Sequence, residues 1–424
     1  MTSLLLFVAL PTWLAIVWRK YVAKPVKSPR HHCIPSAILV VRLDQLGDLV
    51  LTTPLFRELK RLYPSARISV VVLPQYKAIL TTNRTVDEIL PLPKVSASWL
   101  PARGRLLASV LWFHWTQLRR RQFDLAISPR WDVDESLATM LCVLANAQRR
   151  VGHSANVSAA KRRVNRGFDA AFDVVVPPAP LQHEVIRNLA VVEALGAQIV
   201  DRRPEITLTD NDRMFADELL KHHDPRRLVV ALGIGGRAAG RKWPLERFAE
   251  CIALLNQCCP VQPVIVCSAQ EDREAAALSV NLSAPPYILN GLPLRAVCAV
   301  LDRCDVFIGN DSGVAHLAAA MECPTVVVSR HPASGDPDHA NSPERFAPWC
   351  RFQRVLQPAN GLGGCMTSCR SAEPHCILQV SVAQVVEAAL EFLPQPGPAQ
   401  KMRPPAIARW PQPELSRAEV AALT

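Results

Sequence analysis

Glycine is scarce in this 424-residue sequence, with 17 residues, and the 13 cysteines are an odd number spread along the chain. The low glycine content excludes a glycine-rich repeat protein or a collagen-like fibre. The scattered cysteines favour a reducing compartment over a disulfide framework. Charged residues make up only 20% of the chain and hydrophobic residues 49%, which excludes a disordered protein. At roughly 150 residues per domain, we expect two or three globular domains.

The first eighteen residues, Met1 to Trp18, contain no charged side chain, and a basic flank follows from Arg19 to Arg30. A secretory signal carries its charges before the apolar run and ends in an A-x-A-like site, neither of which occurs here. Eighteen helical residues reach about 27 Å, which barely spans a hydrocarbon core. We expect residues 1–36 to associate with a membrane, as a short span or an interfacial helix, and the positive flank predicts that the rest is cytoplasmic. The alternative is a poorly ordered leader or a mis-assigned start codon.

The formal net charge is +11, and two windows account for it: residues 19–30 contribute +5 and residues 149–166 contribute +6. The first window contains a single aromatic residue, Tyr21, and the second contains none. The chain also has no RNA-recognition, zinc-finger or helix-turn-helix signature, so we expect no nucleic-acid partner. The charge instead predicts docking on an anionic membrane surface and a phosphorylated glycolipid. For the second window, a solvated loop is the alternative.

The first half of the chain alternates strand and helix signals. Ala37–Val41 is a short apolar run typical of a buried parallel strand, and a glycine-containing turn follows it. A helix is predicted next, ending at Pro64, and then a second strand over residues 66–74. The alternation continues to about residue 205, so we predict a doubly wound α/β domain over residues 37–205.

Acidic residues in this half lie where ligands gather in open α/β sheets. Asp48 follows the carboxyl end of the first predicted strand, so it suits a general base or a hydroxyl ligand, with a helix N-cap as the alternative. Asp132 and Asp134 form a D-x-D triplet that can bind a divalent metal. Because such pairs are common by chance, we assign no metal to the triplet.

A polar stretch from Asp201 to Asp212 separates the halves, and the strand–helix pattern restarts after it. We therefore predict a second βαβ domain over residues 206–393, with the boundary near residue 205. From residue 394 to 424 the chain is rich in proline, and we expect this tail to be extended or disordered.

The most informative segment of the second half is a turn that follows a strand and opens a helix. It contains Asp311, Ser312 and Gly313, and His316 lies one turn further on. Free N–H groups and the helix dipole make such an end an anion site, although an ordinary N-cap and a core histidine are the alternative.

Two further positions of this half follow strand ends. Lys242, beside Arg241, follows a glycine-rich turn and is a candidate for a pyrophosphate, with a solvent-facing loop charge as the alternative. Glu271 or Asp272 follows the next strand, where an acid often binds ribose, with helix N-terminal placement as the alternative.

Taken together, the segments resemble the heptosyltransferases of glycosyltransferase family 9. The resemblance covers roughly residues 37–393. It rests on four motifs in order: ILVVRLDQLGDLVLTTPLFRELK, RKWPLERFAECI, IGNDSGVAHLAAAMECPTVVV and CMTSCRSAEPHCILQVSVAQVVEAAL. The family implies a GT-B architecture, in which two Rossmann-like domains with parallel sheets face each other and the second holds most of the nucleotide-sugar.

The resemblance also implies roles for individual residues. Asp48 matches the general base that deprotonates the acceptor, Arg42 a basic residue near the donor phosphates, and Lys242 a phosphate-binding lysine. The D-[ST]-G-x-x-H motif, which holds the donor's sugar and phosphates, corresponds to Asp311, Ser312, Gly313 and His316. Glu271 is the best match for the acid on the adenosine ribose, and Asp272 and Glu274 compete with it.

The implied activity is an inverting, metal-independent transfer of heptose from ADP-heptose to a lipopolysaccharide-core acceptor. It requires no cofactor and takes place at the cytoplasmic face of the inner membrane. Alternatives are a related glycosyltransferase with another nucleotide-sugar or glycolipid, and a non-catalytic sugar-nucleotide-binding membrane protein. The cysteines at 365, 369 and 376, with Cys350 upstream, have irregular spacing for zinc, so we expect them to be unmetallated.

Overall fold

The structure, a computed structural model, describes residues 10–21, 34–96 and 100–393. Within these ranges the chain forms two six-stranded, wholly parallel sheets. When the strands of each sheet are numbered separately, both sheets have the order 3-2-1-4-5-6, which is that of a doubly wound nucleotide-binding fold. The predicted α/β class is thus confirmed. The predicted tail, residues 394–424, lies outside the described residues.

The first sheet lies before the predicted boundary near residue 205 and the second lies after it. The first contains β1 (Ala37–Arg42), β2 (Arg67–Val72), β3 (Glu88–Pro91), β4 (Leu125–Ser128), β5 (Arg149–His153) and β6 (Val174–Val176). The second contains β7 (Leu228–Gly233), β8 (Val261–Cys267), β9 (Tyr287–Asn290), β10 (Val306–Asn310), β11 (Thr325–Val328) and β12 (Gln353–Leu356).

Helices cover both faces of the two sheets. Those of the first half are α1 (Leu10–Tyr21), α2 (Leu46–Val50), α3 (Thr53–Leu62), α4 (Lys77–Leu80), α5 (Ala102–Phe113), α6 (Ala138–Leu144), α7 (Ala159–Val164) and α8 (Glu184–Glu193). Those of the second half are α9 (Asp210–Leu219), α10 (Leu245–Cys258), α11 (Asp272–Val280), α12 (Leu294–Leu301), α13 (Gly313–Ala320), α14 (Pro343–Phe346) and α15 (Val382–Leu390). A π-helical turn, His114–Leu118, extends α5.

The core explains why the apolar runs form central strands. Along β1, Ile38 and Val40 pack into one hydrophobic cluster, while Leu39 and Val41 pack into another on the opposite face. A strand buried on both faces needs a continuous apolar run rather than an alternating one, and this is the pattern in the sequence.

One element differs from the sequence-based prediction. The helix expected to continue to Pro64 is two helices, α2 and α3, separated at Leu51 and Thr52. Pro54 lies in the first turn of α3, where its missing N–H needs no partner. In an uninterrupted helix the same proline would remove a backbone hydrogen bond, so the chain begins a second helix instead.

The amino-terminal helix α1 packs against the first domain. Ala15 and Ile16 are buried in the cluster that covers one face of the first sheet, whereas Trp13 and Leu14 are about half exposed. Among the described residues, no helix is both long and apolar enough to cross a membrane. The structure therefore shows a helix with one docked face and one exposed apolar face.

The strand order determines where a site can form. In each sheet the second and third strands are added on one side of the first strand, and the fourth to sixth strands are added on its other side. The connections after the first and fourth strands therefore diverge, and a crevice opens beyond the carboxyl ends of these two central strands. In the first sheet this point lies between β1 and β4, and in the second between β7 and β10. The loops that follow these four strands line one cleft between the domains.

Candidate active site

The cleft between the domains has a volume of about 530 Å³. Its walls come from both halves of the chain. The first domain contributes Leu43, Asp44, Gln45, Gly47, Asp48, Arg130, Asp132, Glu135, Ser136 and Glu184, and the second contributes Arg237, Arg241, Asp311, Ser312, Gly313, His316, Ala340, Asn341 and Phe346. Five of the eight predicted site residues are therefore brought together: Asp48, Asp311, Ser312, Gly313 and His316.

The domains touch at the bottom of the cleft through two glycines. A Cβ atom on Gly47 would lie 2.6 Å from Cδ2 of His316, and one on Gly313 would lie 3.0 Å from Cδ2 of Leu46. Real Cβ atoms do not approach other atoms as closely as the first of these distances. Gly47 therefore allows the amino-terminal ends of α2 and α13 to meet.

Asp48 is fixed at the start of α2 and still reaches the cleft. Its Oδ2 accepts a hydrogen bond of 3.0 Å from the Gln45 backbone N–H, as the third helical residue in a capping box. Its Oδ1 lies 3.4 Å from Nη2 of Arg42. The side chain is 19% exposed, so the carboxylate is held in position but accessible to a ligand. The capping and functional interpretations of Asp48 are thus compatible.

Arg42 lies beneath Asp48 instead of on the cleft surface. Its side chain is 1% exposed and contacts three carboxylates: Asp44 at 3.2 Å, Asp48 at 3.4 Å and Glu184 at 3.4 Å. The sequence resemblance implied contact with donor phosphates, but the structure surrounds this guanidinium with acids of its own domain. Here it positions Asp48 and compensates the buried negative charge.

The surroundings of Asp48 change its proton affinity. Burial raises the pKa of its carboxyl above the ordinary 3.8; Arg42 opposes this effect, while the neighbouring Glu184 carboxylate adds to it. Desolvation and a like charge both disfavour the ionised form. A carboxylate with a raised pKa is a better proton acceptor than a solvated aspartate, which suits a general base.

Sequence reasoning missed the cations that surround this centre. Arg130 follows β4 and is ion-paired with Asp44, while Arg345, 2% exposed, reaches from the second domain to Asp132 and Glu184 at 3.4 and 3.7 Å. Arg130 could have been inferred, since β4 adjoins β1 at the switch point. Nothing in the sequence near Arg345 indicates its long-range partners.

The D-x-D triplet is used by the protein itself. Asp132 pairs with Arg345, and Asp134 accepts the backbone N–H groups of Ala138 and Thr139 at the start of α6. Asp134 is also buried. The two carboxylates therefore serve separate structural contacts.

The amino-terminal end of α13 is prepared for an anion. Ser312 occupies the N-cap position without making a capping bond, and among the described residues its Oγ and the Nδ1 of His316 are buried without a hydrogen-bond partner. Burial lowers the pKa of His316 to about 4, so its imidazole is neutral at pH 7. Free N–H groups, a hydroxyl and a neutral imidazole can bind phosphate or sugar oxygens without adding another anion.

The loop after β7 brings its basic side chains to the cleft differently from the sequence-based prediction. Arg241 lines the cleft and pairs with Asp311 at 2.8 Å, and Arg237 lines the cleft beside it. Lys242, predicted to bind phosphate, instead contacts Glu271 at 3.1 Å and Glu274 at 2.9 Å, and it is not among the lining residues. Its phosphate role stays a prediction.

Glu271, predicted to bind ribose, is largely occupied by the protein. One oxygen accepts from the Gly236 N–H at 3.1 Å and contacts Lys242, while the other accepts from the backbone and side chain of Ser268. These contacts lower the pKa of Glu271 despite its burial, so it stays ionised. Of the two acids that contact Lys242, Glu274 is the more exposed, with 40% of its side chain accessible against 11% for Glu271.

The fold and the cleft together define a class of protein. Two doubly wound domains share one cleft, which lies at the switch points of both sheets. One wall of the cleft carries a helix terminus that can bind an anion, and the other carries a carboxylate with a raised pKa. This is the arrangement of GT-B glycosyltransferases. The family model of "Glycosyltransferase family 9 (heptosyltransferase)" matches residues 111–333, just over half of the chain. The chain belongs to this family and is a glycosyltransferase, which confirms the resemblance seen in the sequence.

Relatives and solved structures agree with this assignment. The chain is 25% identical over 297 residues to lipopolysaccharide heptosyltransferase 3 of Escherichia coli (strain K12), covering 66% of this chain and 78% of the relative. It is 21% identical to the lipopolysaccharide core heptosyltransferase OpsX of Haemophilus influenzae, covering 76% and 84%. Its fold matches a family 9 glycosyltransferase of Veillonella parvula (TM-score 0.64, 19% identity, 84% and 97% covered) and the E. coli heptosyltransferase WaaC with ADP (TM-score 0.62, 18% identity, 84% and 100% covered).

Proposed function

We propose that this glycosyltransferase moves heptose from ADP-heptose to a lipopolysaccharide-core acceptor, with inversion and without a catalytic metal. The observation that carries the proposal is the placement of Asp48, with its raised pKa, across one cleft from the free amino-terminal end of α13. The names of the relatives support the sugar and the acceptor, and the ADP in the solved WaaC structure supports the nucleotide.

The donor diphosphate would lie against the second domain. Ser312 and Gly313 offer the helix terminus, and Arg237 and Arg241 offer two cations at the same wall. Arg241 is paired with Asp311, so a bound phosphate would compete with that carboxylate for its guanidinium. The acids around Lys242 would face the ribose, with Glu271 fixing the loop and Glu274 open to solvent.

The reaction is a single displacement. The acceptor oxygen forms a bond to the anomeric carbon as the bond from that carbon to the diphosphate oxygen breaks, and the electron pair leaves with ADP. Asp48 takes the acceptor proton during the attack. The α13 terminus, Arg237 and Arg241 stabilise the negative charge that develops on the leaving diphosphate. Attack from the side opposite the leaving group inverts the anomeric configuration.

Fixed groups perform the charge stabilisation that a metal would otherwise supply. The helix terminus and two arginines face the same cleft wall, whereas the D-x-D carboxylates are engaged by Arg345 and by the α6 backbone. We therefore assign no metal to the transfer step, and the enzyme needs no cofactor for this chemistry.

Replacing the base tests the mechanism directly. Asp48→Asn retains the size of the side chain but accepts no proton, so we expect turnover to fall by about 10²-fold or more while the dissociation constant for ADP changes little. Turnover is measured by ADP release and binding by calorimetry. Asp217→Asn, at a surface ion pair with Arg303, serves as the matched control. Near-normal turnover of Asp48→Asn would exclude Asp48 as the base.

The two neighbouring cations of the phosphate loop can be separated by their effects on donor affinity. Arg241→Ala should weaken ADP binding by about tenfold or more, because a charge-assisted hydrogen bond contributes about 1.5–3 kcal/mol. Lys242→Ala should weaken binding less, since Lys242 is already held by two carboxylates. Lys221→Ala, on the exposed surface of the same domain, is the control. Unchanged affinity in both loop variants would show that this loop does not bind the phosphates.

Repeating the titration with UDP- and GDP-sugars tests the choice of nucleotide.

We also propose that the enzyme works as a peripheral protein on the anionic cytoplasmic face of the inner membrane. Two segments of the first domain, α1 and the end of α5 with its π turn, carry exposed apolar side chains, and both α1 and the π turn pack against α6. Their exposed apolar side chains are Leu10, Trp13, Leu14, Leu111, Trp112 and Trp115, each 43–58% accessible. Tryptophans suit the membrane–water interface. We name these six residues the aromatic surface.

Basic residues accompany the aromatic surface. The Arg119 guanidinium lies 3.9 Å from the centre of the Trp115 ring, and the Trp13 ring lies 3.9 Å from the Cβ position of Gly167, next to the exposed Arg166. The predicted basic window contributes less than its charge suggests. Arg150 and Lys161 are buried and bind protein groups, so Arg149, Arg162, Arg163 and Arg166 are the members left to face an anionic surface.

Vesicle binding tests this surface. The double variant Trp13→Ser, Trp115→Ser should bind vesicles that contain phosphatidylglycerol severalfold more weakly than the unmodified chain, because it buries less apolar area in the interface. Binding is measured by co-sedimentation at two salt concentrations. Val280→Ser, 86% exposed on the second domain, is the control. Equal binding of the double variant and the control variant would contradict the proposed surface.

A further inference from the structure

The loop between β12 and the last helix, residues 361–376, brings four metal-binding side chains to one point. Sγ of Cys365, Cys369 and Cys376 and a ring nitrogen of His375 all lie within 4.8 Å of one another. The sequence spacing, C-x3-C-x6-C, is irregular and gave no reason to expect this arrangement. We name these four residues the cysteine–histidine cluster.

The three sulfur–nitrogen distances within the cluster are close to the edges of a coordination tetrahedron. Nδ1 of His375 lies 3.8 Å from Cys365 Sγ, 4.0 Å from Cys369 Sγ and 3.4 Å from Cys376 Sγ. With metal–sulfur bonds of about 2.3 Å and a metal–nitrogen bond of about 2.05 Å, tetrahedral geometry separates sulfur and nitrogen by about 3.6 Å. The histidine nitrogen therefore lies from each sulfur at about the separation that two ligands of one tetrahedral ion have.

The backbone around the cluster is built to hold this geometry. Gly363 and Gly364 have φ values of +48° and +86°, in the left-handed region that other residues disfavour, and they turn the chain into Cys365. The Leu362 N–H points at Cys376 Sγ at 3.4 Å, a contact that stabilises a thiolate. Cys369 and Cys376 are buried, at 1% and 0% exposure, so bulk water does not solvate those two sulfurs.

We propose that the cysteine–histidine cluster binds one thiophilic divalent metal ion, with Zn²⁺ the best match to three thiolates and one imidazole. Structural zinc sites use this ligand set and fill all four coordination positions with protein atoms. The described cysteines form no disulfides, so the three sulfurs are available as ligands. With every position filled, the ion offers none to a substrate, and the site is separate from the transfer chemistry.

The same loop supports the phosphate side of the cleft. The carbonyl of Ala372 accepts a hydrogen bond of 2.7 Å from the N–H of Gly240, the residue that precedes Arg241. The carbonyl of Ser371 accepts a hydrogen bond of 3.2 Å from Arg330. A Cβ atom on Gly240 would lie 2.3 Å from the Ser371 oxygen, so the two loops are in close contact. A bound ion would fix the cysteine loop and, through it, the position of Arg241.

Metal analysis of the full-length protein, purified under reducing conditions without chelator, tests the site without any substrate. We expect about one equivalent of zinc per chain by inductively coupled plasma mass spectrometry. Cys369→Ser and Cys376→Ser should lose the metal, while Cys258→Ser, at an exposed cysteine outside the cluster, should retain it. Substoichiometric metal in the unmodified chain, or retention in both cluster variants, would overturn the site.

A second measurement covers variants that do not fold. The metal is removed from the unmodified protein with a reversible thiol-blocking agent. The agent is then removed, and the metal-free protein is titrated with Co²⁺. The proposal predicts saturation at one equivalent, with thiolate-to-cobalt charge-transfer bands and the strong visible bands of a tetrahedral site. Absence of these bands in the refolded protein contradicts the proposed metal site.

ADP affinity tests the link between the cluster and the cleft. Cys369→Ser should bind ADP more weakly than Cys258→Ser, and equal affinity would overturn the claim that the cysteine loop positions Arg241. Because metal content needs no donor, failure here is distinguishable from failure of the proposed transfer.

Discussion

The site depends on one buried guanidinium, that of Arg42, at the end of the central strand of the first sheet. A buried charge costs several kcal/mol unless it is fully compensated, and here Asp44, Asp48 and Glu184 compensate it. These acids come from the turn after β1, from α2 and from α8, so one ion cluster fixes three elements around the acceptor side. Burial in this cluster raises the pKa of Asp48, an effect that Arg42 opposes and Glu184 reinforces.

The two domains have the same strand order, and this repetition explains why each domain contributes one wall of the cleft. Each switch point places a helix terminus in the cleft: α2 with its acid on one side, and α13 with its free N–H groups on the other. The termini touch through Gly47 and His316, and Arg345 spans from the second domain to the acids of the first. The proposed base and the proposed stabiliser of the leaving group thus lie on opposite walls, each held by its own domain.

The sequence predicted what depends on local order along the chain: the strands, the helix termini, and Asp48 and Ser312 beside them. It did not predict contacts between distant segments, such as Glu184 and Arg345 near Asp48, because pairing over more than 130 residues leaves no local pattern. It also could not distinguish Arg241 from Lys242, since side-chain direction within a loop decides which of two neighbours faces the cleft. The clustering of the cysteines likewise depends on a left-handed turn that spacing alone does not reveal.

The central claim is that Asp48 acts as a base whose strength is set by its burial and by its charged neighbours. The pH dependence of kcat/KM in the unmodified enzyme and in Glu184→Gln tests it most directly. In the proposed mechanism transfer requires ionised Asp48, so the rate should fall as the pH drops through its pKa, which lies above the ordinary 3.8. Glu184 raises that pKa, and its neutralisation should therefore move the acidic limb of the profile to lower pH. An acidic limb that stays in place or moves to higher pH would contradict the account.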